Sequence, residues 1–434
     1  MLRLSHLRPF ILSALLCGPA CDSALACPAL ADDSATGLSA EALLARVAPC
    51  HPDVRAAERM LAGVRADTLT AAQRPNPQLT LGAANLSRDL GSRRLWDKTF
   101  DHQLRIDQLI ERGDKAVLRI AAAEASRAAV QADLVEVVRQ ARLAALRSFE
   151  DLRAALARRA ELQSTAALYD ESLRALERRV GVGDAAPLDA TRFKLDALRL
   201  QADLKQAESD TRALRLQLAS MIGAEAQAGR LTPAASFPAS VSALSAAPDL
   251  ERRPDVAAAH SRLAAARAAR ELARALKTRD VNVGLQLDRY PVSDTNTSGS
   301  GNTVSVFVSI PLFIRHAYEG ENARAEADVN SAEEVLRRAR LAARADLDRA
   351  SVQWQAAQAR RRLIAEELLP AAERVAAGAE LAYRRGASSV LDVLDARRAL
   401  RAAHIERITA EADLAKAVAE LNAAGLTLDS PASP

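Results

Sequence analysis

The 434-residue chain is 49% hydrophobic but only 3% aromatic, and its 17 glycines and 17 prolines gather mainly at a few junctions. That composition favours long helices over compact mixed domains. Its 59 basic and 55 acidic residues are interleaved throughout, for a net charge of +4, a pattern that reads as solvated helix faces and argues against a nucleic-acid footprint.

The first residues read as a secretion signal. Arg3 and Arg8 supply the positive region, Phe10 to Leu16 the apolar core, and Ala24-Leu25-Ala26 a small-residue cleavage site, with a second at Ala29-Leu30-Ala31. The signal is therefore assigned to residues 1–26, with 31 as the other cleavage point. No later segment offers ~18 uninterrupted apolar residues. The chain is expected to leave the cytoplasm without a membrane helix. All four cysteines, at 17, 21, 27 and 50, lie in the first fifty residues. Three fates are open to Cys27: lipid attachment after Ala-Leu-Ala, a disulfide to Cys50, or removal by cleavage at Ala31. No CxxC or HxxxH spacing occurs, and His51, His260, His316 and His404 are too dispersed to suggest a ligand set.

A helical pattern runs from about Leu38 to Arg74, broken at Pro52, where His51-Pro52-Asp53-Val54 makes a conventional start. The period then changes to two. Leu79, Leu81 and Ala83 alternate with Thr80, Gly82 and Ala84, and Phe100, His102, Leu104 and Ile106 alternate with Asp101, Gln103, Arg105 and Asp107. Each is a strand with one apolar and one polar face. On that face His102 reads as an interface residue rather than a ligand, and Trp96, Tyr290 and Phe313 near strand ends as candidate interfacial anchors. From Gly113 to Val180 a proline-free helical pattern follows, roughly 100 Å long at 1.5 Å per residue. Its seam runs through Val130, Leu134, Val137, Ala141, Ala145, Leu152 and Leu156. Beyond a Gly181–Pro187 tip, a shorter helix runs to about Ile222.

The programme then restarts after an Ala/Pro/Ser-rich connection, residues 224–250. Arg253-Pro254-Asp255-Val256 repeats His51-Pro52-Asp53-Val54 at an offset of 202 residues, and Gly284 follows Gly82 at the same offset. Val281 to Leu287 and Val304 to Leu312 supply a third and a fourth alternating strand. A long helix from about Tyr318 to Arg385, a second tip and a shorter helix to about Ala424 complete the half. At the two tips, setting Gly183 against Gly386 puts Leu188-Asp189 against Leu391-Asp392. The chain thus reads as a tandem repeat, 38–223 and 251–427, with a tail at 428–434; the strands lie near 78–87, 98–109, 280–291 and 303–313, and the tips at 181–189 and 384–392.

The expected fold is mainly α: long antiparallel helical hairpins with a small β part of four strands. Four strands cannot close a barrel, for which about eight is the usual minimum, and open edges are excluded in lipid. Three copies would supply twelve strands and close it.

Ile110-Glu111-Arg112-Gly113-Asp114-Lys115, Ile310-Pro311-Leu312-Phe313-Ile314, Leu369-Pro370-Ala371-Ala372-Glu373, and Gly386 with Leu391-Asp392-Val393-Leu394-Asp395-Ala396 carry a resemblance that, with the duplicated Pro-Asp starts, covers nearly all the mature chain. The sequence resembles the TolC-type outer-membrane channels, most closely their cobalt-zinc-cadmium efflux branch. That resemblance implies a passive homotrimeric duct in the outer membrane of a Gram-negative cell. Its tips would dock on a periplasmic adaptor coupled to a proton-driven inner-membrane pump of the resistance-nodulation-division type, with no cofactor. By the same resemblance Asp392 and Asp395 match ring carboxylates of the aperture, and Tyr383 and Asp189 match closure links. The arginine that the family often places two residues after the tip glycine is Ser388 here, leaving Arg384 or Arg385 as substitutes. Physically, Asp392 and Asp395 share one helix face; threefold symmetry would gather six carboxylates, attract cations and raise the acids' pKa values. The plainer reading is that both favour the positive helix N-terminus. Rival functions are efflux of organic compounds or drugs through the same duct, or a periplasmic coiled-coil adaptor or scaffold. No nucleophile motif, phosphate loop or acid–base pair points to an enzyme.

Overall fold

A computed structural model describes Cys27 and residues 37–84, 100–234, 249–290 and 301–425. The secretion signal, Trp96 and the 428–434 tail lie outside these residues. The first half comprises α1 (Ala40–Cys50), α2 (Pro52–Ala72), β1 (Gln78–Ala84), β2 (Asp101–Ile110), α3 (Lys115–Gly181) and α4 (Pro187–Ile222). The second follows the same order: α5 (Pro254–Ala275), β3 (Val281–Tyr290), β4 (Gly301–Ser309), α6 (Glu319–Leu363), α7 (Leu369–Arg384) and α8 (Val390–Ala424).

The starts of α2 and α5 are set by their sequences. Pro52 and Pro254 occupy the first turn, where a missing N–H costs nothing, and Asp53 and Asp255 face the positive end of the helix dipole. The 67-residue α3 is the spine. Both α2 and α4 pack along it, and α5 and α8 cross to it from the second half. Its alanines at 141 and 145 are buried together with Phe149 and Leu152 against Leu43, Val47, Leu218 and Ile222. Small residues there let neighbouring backbones approach closely.

The long helix expected from Tyr318 to Arg385 is not uniform. Between α6 and α7, residues Ile364–Leu368 form a π-turn. The cause lies just downstream: Pro370 has no N–H to give to the preceding turn, and a wider turn absorbs that mismatch without ending the rod.

All four strands join one antiparallel sheet in the order β1-β2-β3-β4, so the two halves meet at the β2–β3 pair. The register lines up whole rows. Leu81, Leu104, Leu287 and Val304 form one, and Leu79, Ile106, Leu285 and Val306 the next. Most of these side chains stand well out of the sheet, Leu81 at 73% and Val306 at 70% exposure. The intervening rows are polar: Gly82, Gln103, Asp288 and Thr303, then Thr80, Arg105, Gln286 and Ser305. On that face Arg105 makes two 2.8 Å bonds to Asp107, and Gln286 donates to Asp288 at 2.8 and 2.9 Å. Gly284 lies across from Asp107, and a Cβ there would collide with that carboxylate. Among the described residues no helix is long and apolar enough to cross a membrane; the exposed apolar rows belong to the sheet.

Cys27 is joined to Cys50 at the end of α1, with Cα atoms 5.3 Å apart. Of the three fates open to Cys27 this is the disulfide, and a sulfur so engaged has none left for a lipid thioether. The pairing suits an oxidising compartment. Intact-mass analysis of the mature protein is expected to show a chain with no acyl addition that gains two mass units on reduction. A diacylglyceryl increment on Cys27 would overturn the pairing.

Candidate functional site: the paired hairpin tips

Each hairpin reverses on a glycine in the left-handed region, Gly183 at φ +79° and Gly386 at φ +73°. The closures are identical. Asp184 N–H donates to Arg179 O and Gly183 N–H to Val180 O; Ala387 N–H donates to Ala382 O and Gly386 N–H to Tyr383 O. This pairing satisfies the last carbonyls of the incoming helix, and it needs a positive φ that glycine adopts without strain. The two tips are thus built by one local rule applied twice.

They are also packed together. Val390 and Leu394 of α8 join Leu162, Tyr169, Leu176, Phe193, Ala197 and Leu200 of α3 and α4 in one buried cluster, with Tyr383 against its edge. Tyr169 is 2% exposed, and its hydroxyl is pushed up to about 12, first by burial and then by the nearby Asp196 carboxylate.

Asp392 completes a capping box. Ser389 donates to its Oδ2 from the backbone N–H at 2.9 Å and from Oγ at 2.8 Å, while Asp392 N–H donates back to Ser389 Oγ. The bond from the Ser389 backbone, then that from its hydroxyl, holds the carboxyl below the usual aspartate range. Asp392 stays ionised at neutral pH, and the cap weakens only as pH falls through the lowered pKa. Asp395 is engaged differently: its Oδ1 lies 2.9 Å from Nη1 of Arg398.

The expected closure partners are regrouped. Tyr383 is met by Arg179 of α3, whose Nη1 donates to the phenolic oxygen at 3.2 Å while the guanidinium lies 5.8 Å from the ring centroid. Asp189 pairs loosely with Arg192 at 3.8 Å, within the first turn of α4. Arg384 reaches Glu380 at 3.9 Å, and Arg385 caps α7. Ser388 turns inward, its Oγ 3.4 Å from Ala379 O.

Reading by tip alignment missed Arg179, Asp196, Arg397 and Arg398. Arg397 Nη1 donates to Ser172 Oγ at 3.0 Å and lies 3.6 Å from Glu380. Arg398 reaches Asp196 of α4. Aligning the tips gives an offset of 203 residues and does not bring Asp196 and Arg398, 202 apart, into equivalent positions, so no sequence signal marked that pair.

Helical hairpins longer than any compact domain needs, ending in a sheet with an apolar outer face, define an outer-membrane channel with a helical extension. The residues 249–425 match the model of a family described as outer membrane efflux protein. Across 384 residues, 87% of each chain, the sequence is 28% identical to the cobalt-zinc-cadmium resistance protein CzcC of Cupriavidus metallidurans. In structure it is similar to the outer membrane protein VceC of Vibrio cholerae, with a TM-score of 0.74 at 19% identity over 89% of this chain and 96% of that one. The Campylobacter jejuni CmeC outer membrane channel gives 0.73 at 14% identity, over 90% and 86%. The second half of the chain is thus similar to the outer membrane efflux protein family, and the relatives it resembles are channels rather than enzymes.

Proposed function

We propose that three copies of the chain close a twelve-stranded barrel and form the exit duct of a tripartite system that exports divalent cobalt, zinc or cadmium ions. The observation that carries the metal assignment is the relationship to CzcC, which extends over 87% of both chains. The trimer rests on edge closure. β1 and β4 are the two free edges of the four-stranded sheet, and unpaired backbone groups are too costly to leave in hydrocarbon. In this reading the tips meet a periplasmic adaptor, and a proton-driven inner-membrane pump selects the cargo. The duct supplies a passage. Asp392, held ionised by its cap and repeated three times, gives that passage a negative collar that favours cations over anions.

A second reading has one specific support. A stretch of 170 residues, 35% of the chain, is 32% identical to the pyoverdine export outer membrane protein OpmQ of Pseudomonas putida, so an organic cargo is the rival. Deleting the protein from a strain without redundant channels is expected to lower tolerance to zinc, cobalt or cadmium and to raise retained metal in loaded cells. Unchanged metal tolerance together with new sensitivity to organic compounds would transfer the assignment to the rival.

A further inference from the structure

The apolar face of the sheet ends in a row of a different kind. In register beyond Leu81, Leu104, Leu287 and Val304 stand Ala83, His102, Arg289 and Asn302, one from each strand. All four are exposed. Arg289 makes no hydrogen bond or ion pair among the described residues. The His102 ring lies 4.2 Å from that of Phe100, two residues earlier. No carboxylate shares the row. The adjacent Asp101 and Asp288 belong to the polar face, where Gln286 donates to Asp288.

Topology fixes which end of the sheet this is. Helices enter or leave all four strands at the end marked by Gln78, Ile110, Val281 and Ser309. The row lies at the other end, one residue inside the strand limits Ala84, Asp101, Tyr290 and Gly301. Helices of an outer-membrane channel extend into the periplasm, so this end meets the outer leaflet. Depth agrees with that placement. The step from Val281 to Arg289, at ~3.4 Å per residue and a tilt of about 40°, rises roughly 20 Å, near the ~25 Å height of a barrel's apolar band. An arginine facing lipid is costly at the midplane and tolerated at the boundary, where aromatic rings such as that of Phe100 also gather.

A guanidinium at that boundary, without a partner in its own chain, can find one in the membrane. Its planar fork matches the oxygens of a phosphate. The His102 imidazole and the Asn302 amide add N–H donors on the two neighbouring strands, each ~4.8 Å away.

We propose that His102, Arg289 and Asn302 bind the phosphate groups of outer-leaflet glycolipid, the lipopolysaccharide that faces the surroundings of a Gram-negative cell. Its phosphates lie where its acyl chains begin, so the chains cover Leu104 and Leu287 while the head group takes Arg289. The site goes beyond the efflux reading and rests on one part of it, the closed barrel.

The test is native mass spectrometry of the full-length protein, purified in detergent and titrated with lipid A. The wild-type protein is expected to bind the bis-phosphorylated form at least about tenfold more tightly than the dephosphorylated form, the change that ~1.4 kcal/mol produces. Arg289→Gln should erase that preference and Arg289→Lys should keep part of it. Asn302→Arg, which adds a second cation to the row, should enlarge it. Heat-modifiable mobility on gels checks that each variant still closes its barrel. Equal binding of both forms by the wild-type protein, or an undiminished preference in Arg289→Gln, would overturn the site while leaving the barrel in place. Displacement of lipid A by equimolar inorganic phosphate, or equally tight binding of phosphatidylglycerol, would mark a general anion site and overturn the glycolipid assignment. A wild-type protein without the mobility shift removes the barrel and the site together.

Discussion

Replacing Val306 with arginine is expected to abolish assembly of the protein in the outer membrane. Val306 stands 70% exposed in the apolar row that runs through Leu79, Ile106 and Leu285. A cation on a lipid-facing strand costs about 2–4 kcal/mol near the bilayer midplane, and falls off toward the interfaces. In a trimer the cost is incurred three times, roughly 6–12 kcal/mol in all, against a total stability for a typical domain of about 5–15 kcal/mol. Val306→Leu should be silent. The decisive control is the adjacent residue: Ser305 lies on the opposite face, in register with Gln286 and Arg105, so Ser305→Arg should still assemble. Fractionation of outer membranes, with heat-modifiable mobility on gels as the sign of a closed barrel, reads the result. Normal assembly of Val306→Arg would mean that this face does not meet lipid.

The second large effect is expected at Arg253, which joins the start of α5 to α6. Its guanidinium is 2% exposed. Nε and Nη2 each donate to Asp255 at 2.9 Å, Nη2 also donates to Asp346 at 2.8 Å, and Nη1 to Ala343 O at 3.1 Å. Burial pulls its pKa down, but the bonds to Asp255 and Asp346 outweigh that and leave it raised. Arg253→Ala leaves Asp346 with Arg349 and Asp255 with the Val256 N–H, and removes the buried cation that joins them and its bond to Ala343 O. Breaking a buried pair costs 3–5 kcal/mol as a rule, and both aspartates keep some water, so about 2–4 kcal/mol is expected here. Arg253→Met, which keeps the packing of the stem, should lose nearly as much, because the charge and not the bulk is what matters. Denaturant unfolding of the purified protein in detergent measures both. A change below about 0.5 kcal/mol, the range of ordinary surface substitutions, would show the network to be dispensable.

The site illustrates how far alignment of the two tips could reach. Gly183 and Gly386 were legible because a positive φ after a helix is a local demand with few chemical answers. Asp392 was legible at its helix start, where the serine that captures its Oδ2 is three residues away and belongs to the same cap; its place in a ring depends on three copies and is not a property of one segment. For Tyr383, matched only as a closure-link residue, the sequence named no partner within the chain; the phenol is met by Arg179 from α3. Which helix faces which at the tip depends on rotation about two long rods, and local sequence says little about that angle.

The sequence by itself determined the period of every element, the doubled order of helix, hairpin and helix pair, and the apolar face of each strand. These depend on the spacing of residues along a single segment, where side-chain direction is fixed by backbone geometry. Only the tertiary structure decided that the two halves share one sheet through β2 and β3, that Cys27 pairs with Cys50, and that Arg398 finds Asp196. Each of these joins segments far apart in the chain. Their meeting is set by the sum of many weak packing contacts across the whole bundle, a quantity that no local pattern encodes.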